Sequence, residues 1–425
     1  MVRAARLFKE NVDNMVNTQK ICVIGLGYVG LPLAIEFSKY FKVIGYDLSE
    51  ERIHTLNQCI DPNGEVDSKT LKNSSAVWSS NPEVMDESDV FIITVPTPVD
   101  KNNQPDLSCL ESASELVGRA LKPGGLVVYE STVFPGCTED FCRPILEKSS
   151  GLIHGKHFYL GYSPERVNPS DKVNTVSKIT KVVSGCCDES TDLVDSLYQK
   201  IIEAGTFRAS SIKVAEAAKV TENIQRDVNI ALMNELSIVF DQLDIDSFEV
   251  IHAASSKWNF IPFRPGLVGG HCIGVDPYYL IARAAELNVN TPLMNSARMI
   301  NEAVVERVVA KVKSLFSGRP RVLLMGLTFK EDCPDLRNSK SIVLANKLSE
   351  CADVQAIDPY VKRQTSGTYS TVDDFSGGPF DCIIISVRHK NFIDIQPEFI
   401  RELLTPEGKV FDLLNAFPSI KDYSL

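Results

Sequence analysis

Short apolar runs alternate with segments of helical periodicity along most of the chain. The first run, Lys20–Ile24, is rich in β-branched residues and is followed by glycine, as expected for a buried parallel strand. A helix is predicted over Leu31–Tyr40 and a second strand over Phe41–Tyr46, and further strand-like runs are Val90–Val95 and Gly125–Tyr129. Strands that alternate with helices predict a parallel sheet with helices on both faces.

The pattern changes between Ser211 and about Leu243, where neither glycine nor proline occurs. Apolar residues recur there at helical spacing, namely at Val214, Ala218, Ile224, Val228, Leu232, Leu236 and Val239. A helix of about 30 residues spans roughly 45 Å, which is longer than one small domain needs. We therefore predict a single long helix that forms a spine between domains or a subunit interface.

A second α/β unit is predicted after the helix-breaking sequence Gly318-Arg319-Pro320. Its predicted strands are Arg321–Gly326, Val354–Ile357, Cys382–Val387 and Val410–Phe411, and its clearest helix is Ile342–Leu348. The predicted fold is therefore α/β, with two Rossmann-like doubly wound domains joined by a long central helix.

Composition narrows the class of protein. The chain has 425 residues, of which 44% are apolar and 23% charged, as in soluble globular proteins. A net charge of −11 argues against a nucleic-acid partner. The 11 cysteines form no CxxC pair, so a reduced cytoplasmic setting is expected. No apolar run could span a membrane, and the polar stretch Met1–Lys20 lacks the apolar core of a signal peptide.

Three glycines follow the first strand in the spacing Gly25-x-Gly27-x-x-Gly30, and Asp47 ends the next strand. The first glycine permits a tight turn, the second lets backbone approach a pyrophosphate, and the third lets helix pack on strand. An acidic residue at Asp47 suits a ribose 2′-hydroxyl and repels a 2′-phosphate, so the motif predicts NAD rather than NADP. The alternative is a purely structural glycine turn.

A second glycine-rich segment surrounds a cysteine, with Gly269 and Gly270 before Cys272 and Asp276 after it. Glycines let a substrate approach the thiol, and a helix that begins at Cys272 would favour the thiolate. A cysteine is more often an inert buried residue than a nucleophile. The flanking glycines and the carboxylate nevertheless single out Cys272, whereas His271 is assigned no catalytic role.

Polar residues elsewhere in the chain are further candidates for catalytic roles. Lys219 and Asn223 share one face of the predicted long helix and could stabilise an oxyanion, although helical lysines are more often simply exposed. Glu165 follows another strand and is a candidate general base, with a solvated pair of Glu165 and Arg166 as the alternative.

Basic residues also follow the first strand of the second α/β unit. Lys330 and Arg337 lie there, at a position that suits a diphosphate. His154 and His157 have no carboxylate or cysteine partner at metal-ligand spacing, so no metal site is predicted.

Seven stretches together resemble the motifs of the UDP-glucose/GDP-mannose dehydrogenase family, in the family's order. They are GLGYVGLPLA at Gly25, TVPTP at Thr94, ESTVFPG at Glu130, SPER at Ser163, EAAK at Glu216, GGHCIGVDPYYL at Gly269 and GLTFKEDCPDLRNS at Gly326. The resemblance covers nearly the whole chain beyond the first 20 residues.

The resemblance implies an NAD-dependent, four-electron oxidation of the C6 hydroxyl of a nucleotide sugar to a carboxylate. The route runs through a thiohemiacetal and a thioester on a cysteine. It also implies a homodimer whose subunits each have three domains: an NAD-binding domain over residues 1–210, a helical dimerisation domain with the cysteine loop over 211–316, and a UDP-sugar-binding domain over 317–425.

Residue roles are implied by the matching motifs. Cys272 matches the nucleophile, Glu165 the acid/base, Lys219 and Asn223 the oxyanion pair, and Thr132 and Asp276 the residues that position water and protons. Cofactor-binding positions are Gly25, Gly27, Tyr28, Val29, Gly30, Asp47, Arg52, Thr97 and Thr132. Substrate-binding positions are Glu165, Arg166, Lys219, Asn223, Lys257, Arg264, Gly269, Lys330 and Arg337.

Val275 is a departure that bears on the substrate, because UDP-glucose dehydrogenases usually carry lysine before the aspartate of the cysteine motif. The motif here and the segment Lys257–Gly266 are similar to the branch that acts on UDP-N-acetylhexosamines. Within it we favour UDP-N-acetylglucosamine, with UDP-N-acetylgalactosamine and UDP-N-acetylmannosamine as alternatives, and a product for capsule or O-antigen assembly. The rival functions are a two-electron dehydrogenase that needs no cysteine and a non-catalytic protein that binds NAD or a UDP-sugar.

Overall fold

The computed structural model describes residues 19–167, 171, 173–362, 368–375 and 377–425. Most of the polar stretch Met1–Lys20, up to residue 18, lies outside the described residues. The chain divides into two units: the first comprises Met1–Glu222 and Tyr278–Leu287, and the second comprises Asn223–Pro277 and Asn288–Leu425.

The first unit is built on an eight-stranded sheet in the order β3-β2-β1-β4-β5-β6-β7-β8. Its strands are β1 (Lys20–Ile24), β2 (Lys42–Tyr46), β3 (Val77–Ser79), β4 (Val90–Ile93), β5 (Gly125–Tyr129), β6 (Phe158–Tyr162), β7 (Lys181–Gly185) and β8 (Thr206–Arg208). Its helices are α1 (Gly30–Ser38), α2 (Glu50–Asn57), α3 (Ser68–Asn73), α4 (Ser108–Ala120), α5 (Arg143–Ser150) and α6 (Asp188–Ile201).

Strand β7 departs from the predicted all-parallel arrangement. It pairs with β6 in the antiparallel direction, whereas strands β1 to β6 pair in parallel. The described part of the β6–β7 connection holds only a short 3₁₀ turn, Val176–Lys178. A parallel crossover usually needs an α-helix, so this connection returns the chain in the opposite direction.

Helices on both faces bury the first sheet, as predicted. Alternate residues of β1 point to opposite faces: Ile21 joins a core cluster with side chains of α1 and α6, and Cys22 joins a second cluster with side chains of α4. Burial on both faces explains why β1, β4 and β5 are nearly continuous apolar runs.

A single helix, α7 (Ile212–Gln242), continues from the first unit into the second and closely matches the predicted long helix. The second unit also holds α8 (Ser247–Ala254) and α10 (Pro292–Leu315), while α9 (Asp276–Glu286) has residues in both units.

The second unit contains a five-stranded parallel sheet in the order β11-β10-β9-β12-β13. Its strands are β9 (Arg321–Met325), β10 (Asp353–Ile357), β11 (Ser370–Val372), β12 (Phe380–Ile385) and β13 (Leu404–Asp412). Helices α11 (Lys340–Ser349), α12 (Lys390–Ile393) and α13 (Pro397–Glu402) complete it. The predicted α/β class, with two Rossmann-like sheets and a long helix, is confirmed.

None of the helices in the described ranges is both long enough and apolar enough to cross a membrane.

Candidate active site

The glycine motif forms the tight turn between β1 and α1. Gly25 has a φ of +91°, and its N–H donates to the Tyr46 carbonyl at 2.8 Å. A Cβ on Gly30 would lie 1.8 Å from the Gly25 carbonyl oxygen, whereas a Cβ on Gly27 would meet no atom within 4 Å. Two of the glycines are thus required by the backbone, and Gly27 leaves open space before the helix N-terminus, where a pyrophosphate fits.

Asp47 accepts two backbone hydrogen bonds at the end of β2, from Leu26 N at 2.8 Å and from Ser49 N at 2.9 Å. Arg52 lies on the same side, donating to the Leu26 carbonyl at 2.9 Å and pairing with Asp61 at 2.6 Å. A carboxylate on this turn suits a ribose hydroxyl, so the residues present fit NAD.

The other predicted cofactor positions also follow strand ends in the first unit. Tyr28 and Val29 lie in the turn before α1, Thr97 follows β4, and Thr132 follows β5. Because β1, β4 and β5 are parallel neighbours, their carboxyl ends share one edge of the sheet. This edge is where open α/β sheets bind their ligands.

Glu165 follows β6 at this edge and belongs to a buried charged cluster that the sequence analysis missed. Its Oε2 lies 3.6 Å from the Lys181 ammonium, which donates to Glu130 at 2.6 Å and to the Pro164 carbonyl at 3.1 Å. Tyr198 donates to the other oxygen of Glu130. Burial raises the pKa of Glu130, and Lys181 opposes that rise. No local pattern marks Lys181, because its partners are distant in sequence.

Arg166 does not pair with its neighbour Glu165. Its guanidinium contacts Glu222 at 2.8 Å and donates to the Thr180 carbonyl at 2.9 Å. Arg166 thus joins the loop after β6 to the helix α7, within the first unit.

Buried polar residues repeat along one side of α7. Glu216 accepts from the N–H groups of Gly136 at 2.5 Å and Thr138 at 2.9 Å. Burial raises the pKa of Glu216 to about 7, against the effect of these hydrogen bonds. Lys219 and Asn223, one turn apart, are also buried. The predicted shared face therefore points inward.

Cys272 is half-buried in the turn that opens α9. Its carbonyl accepts from Val275 N at 3.0 Å and Asp276 N at 2.8 Å, so the turn leads directly into the helix. Asp276 is buried and accepts from the Asn223 side-chain amide at 2.5 Å. The structure thus brings together Asn223 and Asp276, which with Cys272 belong to the second unit, whereas Lys219 belongs to the first.

The loop after β9 begins with a turn that resembles the glycine turn after β1. Gly326 has a φ of +102°, and its N–H donates to the Ile357 carbonyl at 2.8 Å. Asp358 directly follows β10 and accepts from Leu327 N at 2.6 Å, as Asp47 does from Leu26 N. A hydroxyl group, that of Ser386, donates to the Gly326 carbonyl at 2.8 Å, as Thr94 does to Gly25 at 2.7 Å.

The turn at Asp358 differs from the turn at Asp47 in that a buried histidine lies beside its carboxylate. His389 Nε2 lies 3.1 Å from Asp358 Oδ2, and the same oxygen accepts from Thr328 N at 3.0 Å. Asp358 Oδ1 accepts from Tyr360 N at 2.8 Å. The carboxylate of Asp358 is therefore occupied by protein groups.

The remaining substrate-side positions lie in loops of the second unit. Lys330 and Arg337 are in the loop after β9, where Arg337 pairs with Asp335 at 2.8 Å. Lys257 and Arg264 lie in an exposed segment after α8, and Gly269 precedes the Cys272 turn.

Family descriptions match three successive parts of the chain. They are those of the NAD-binding, central and UDP-binding domains of the UDP-glucose/GDP-mannose dehydrogenase family, over residues 19–202, 213–303 and 323–419.

Individual relatives match over most of their length. A UDP-N-acetyl-D-glucosamine 6-dehydrogenase of Pseudomonas aeruginosa is 50% identical, covering 93% of this chain and 96% of the relative. Protein CapL of Staphylococcus aureus is 47% identical, covering 93% and 95%. The solved structure of a UDP-D-ManNAc dehydrogenase from Pyrococcus horikoshii is 30% identical with a TM-score of 0.86, covering 95% and 98%.

Proposed function

Because the chain belongs to the UDP-glucose/GDP-mannose dehydrogenase family and is an NAD-dependent nucleotide-sugar dehydrogenase, we propose that its substrate is a UDP-N-acetylhexosamine. UDP-N-acetylglucosamine is the favoured substrate. The observation that carries this choice is the 50% identity to a dehydrogenase of that name over 93% of the chain. UDP-N-acetylgalactosamine and UDP-N-acetylmannosamine are the alternatives.

The proposed reaction oxidises the C6 hydroxyl in two stages. In the first stage the C6 alcohol loses a proton and a hydride and becomes an aldehyde; NAD⁺, held by the glycine turn and Asp47, would accept the hydride. The Cys272 thiolate then adds to C6, and protonation of the resulting oxyanion gives a thiohemiacetal. Loss of a proton and a second hydride from the thiohemiacetal gives a thioester, and NAD⁺, when bound, would accept that hydride. Water attacks the thioester, the carbon–sulfur bond breaks, and the uronate leaves. Covalent capture keeps the reactive aldehyde from escaping.

The polar residues have proposed roles at successive stages. Glu165 takes and returns the proton of the C6 hydroxyl. Lys219 and Asn223 stabilise the alkoxide that precedes the aldehyde and the tetrahedral oxyanion that forms when water attacks the thioester. Thr132 and Asp276 position the water and its proton, and the 2.5 Å hydrogen bond between Asn223 and Asp276 supports a joint role.

We propose one set of residues that binds NAD and a second set that binds the UDP-sugar. The NAD set is Gly25, Gly27, Tyr28, Val29, Gly30, Asp47, Arg52, Thr97 and Thr132. The substrate set adds Arg166, Lys257, Arg264, Gly269, Lys330 and Arg337 to Glu165, Lys219 and Asn223. We propose the functional boundaries 1–210, 211–316 and 317–425, which the three family matches support.

A homodimer formed through α7 is also proposed. Leu232 and Val239 are one heptad apart on α7, Leu243 directly follows its last residue, and 48%, 49% and 61% of their surfaces are exposed. Apolar side chains grouped on one exposed face favour a protein partner. The protein is further proposed to act in the cytoplasm and to supply a uronate for capsule or O-antigen assembly, which the similarity to CapL supports.

A panel of the three UDP-N-acetylhexosamines and UDP-glucose, each with NAD⁺, tests the proposal by NADH absorbance and product mass. UDP-N-acetylglucosamine should give the highest kcat/KM and two NADH per uronate. One NADH with free aldehyde, or activity that survives Cys272→Ala, would indicate a two-electron dehydrogenase. Binding without turnover on every sugar would indicate a non-catalytic protein.

A further inference from the structure

The turn that carries Cys272 packs against the loop between β9 and α11, residues 326–339, here termed the nucleotide loop. Gly270 N donates to the Asn338 carbonyl at 3.1 Å. A Cβ on Gly269 would lie 2.6 Å from the same oxygen, and a Cβ on Gly270 would lie 2.7 Å from the Phe329 ring. The glycines thus permit a close approach of backbone to the nucleotide loop, all within the second unit.

His271 adds a side-chain connection between the same two segments. Its Nε2 lies 2.8 Å from Asp335 Oδ2, and its ring centroid lies 5.3 Å from that of Phe329 in an edge-on arrangement. His271 directly precedes Cys272 in the chain, so a shift of its ring changes the position of the Cys272 backbone.

Asp335 is shared between His271 and the substrate-side Arg337. Arg337 donates to Asp335 from Nη2 at 2.8 Å, from Nε at 3.1 Å and from its backbone N–H at 2.9 Å. Burial acts to raise the pKa of Asp335, but the hydrogen bonds from His271 and Arg337 outweigh it and hold that pKa far below its usual range. Asp335 therefore stays ionised and bridges the two residues.

The nucleotide loop lies at the ligand-binding edge of its sheet. It follows β9, whose neighbours β10 and β12 lie on opposite sides, and this reversal of strand order marks the crevice in open α/β sheets. The UDP-binding description of the family covers this segment. A diphosphate that engages Lys330 or Arg337 would therefore order the loop to which His271 is attached.

We infer that His271 is a positioning residue that couples occupation of the nucleotide loop by uridine diphosphate to the position of Cys272. The inference rests on the proposed function for the identity of the ligand and of the nucleophile. Asp335 transmits the coupling, because it contacts both His271 and Arg337. The sugar is not required for the effect, since both contacts are made by Asp335 of the nucleotide loop.

The test measures alkylation of Cys272 by iodoacetamide in the full chain, with and without saturating UDP. Trypsin releases Cys272 in the peptide 258–283, in which it is the single cysteine, so mass spectrometry follows this thiol separately. In the wild type, UDP should slow alkylation at least about fivefold, because a half-buried thiol reacts when its turn opens.

Two variants separate the polar contact between His271 and Asp335 from the packing of the His271 ring against Phe329. His271→Phe keeps an aromatic ring against Phe329 but cannot contact Asp335 through a donor, and His271→Gln keeps a donor without the ring. UDP should slow alkylation less than about twofold in His271→Phe and at least about fivefold in His271→Gln. UDP affinity, measured by calorimetry, should stay within about twofold in both.

An unchanged UDP effect in His271→Phe would mean that UDP merely shields the thiol and would overturn the inference, as would no UDP effect in the wild type. Loss of the effect in His271→Gln as well would assign it to the ring and also overturn the inference. Turnover of the wild type with NAD⁺ is assayed in parallel. Failure of turnover counts against the proposed function, whereas the alkylation result depends only on UDP binding.

Discussion

Asp47, which is proposed to bind the ribose of NAD, also accepts hydrogen bonds that hold the turn after β2. Its carboxylate accepts from Leu26 N and Ser49 N, so an amide in its place keeps one acceptor oxygen but loses the charge. Asp47→Asn should raise KM for NAD⁺ about tenfold, reduce kcat less than about threefold and improve the relative use of NADP⁺.

Steady-state kinetics with both cofactors measure this change. Asp67→Asn is the matched control, because Asp67 also accepts a backbone N–H, at the start of α3 in the same unit. An unaltered KM for NAD⁺ in Asp47→Asn would place the ribose elsewhere.

Glu216 makes stability depend on pH. Its pKa rises from 4.5 to about 7 on burial, so its contribution to stability is full below pH 4.5 and is lost as pH rises through 7. The shift corresponds to about 3 kcal/mol. In Glu216→Gln, the unfolding midpoint in urea should fall less between pH 5 and 8 than it does in the wild type.

The exposed Glu235, on the same helix, provides the control Glu235→Gln, which should keep the wild-type pH dependence. Parallel midpoint curves for the wild type and Glu216→Gln across this range would show that Glu216 does not titrate there.

At the scale of elements, α7 and α10 are joined by buried polar pairs within the second unit. Arg298 donates to Asp227 at 2.6 Å, and Asn301 donates to the same carboxylate at 2.7 Å. Asp227→Ala leaves a buried guanidinium without this partner, and we expect a loss of about 3–5 kcal/mol of unfolding free energy.

Chemical denaturation of single and double variants tests this pair. Asp227→Ala combined with Arg298→Met should recover part of the loss, because neither charge then remains buried. Equal losses in the single and double variants would show that the helices are held by other contacts.

The sequence predicted the extent of α7 but not which of its faces is buried. Apolar spacing located the helix to within one residue at each end, yet Val214, Leu232 and Val239 of that pattern are exposed. Glu216 and Asp227 are buried instead, because their partners lie far away in sequence. A periodicity identifies a helix, but the charges that it can bury depend on the neighbouring elements.

Local spacing likewise predicted the glycine turn and the Cys272 segment, whose positions are set by consecutive residues. It did not predict the Lys181 cluster or the contact between His271 and Asp335. These groups are brought together by β-sheet order and by loop packing, which a single sequence does not record. The antiparallel β7 was missed for the same reason.

At the scale of the whole molecule, the proposed dimer should depend on the exposed apolar face of α7. Leu232→Asp combined with Val239→Asp places two charges there and should yield monomers at micromolar concentration in sedimentation velocity. Ile153→Asp, an equally apolar and exposed position in the first unit, is the control and should sediment as the wild type does. Unchanged sedimentation of the double variant would exclude this face as the interface.

The net charge of −11 gives the molecule a repulsive field toward its anionic ligands. We therefore expect attraction to come from local groups, for which the proposed candidates are the helix N-terminus at Gly30 and the side chains Lys330 and Arg337.

The turns at Gly25 and Gly326 have the same construction, so each of the two sheets carries one copy of the same strand–turn motif. Each turn has a glycine with a positive φ, an aspartate directly after the second strand of its sheet in chain order, and a hydroxyl side chain directly after the fourth. In the second turn the buried imidazole of His389 also lies against the aspartate, with its Nε2 3.1 Å from Oδ2 of Asp358. The same backbone turn therefore serves an NAD-binding domain and a UDP-binding domain, with different polar side chains around it in each.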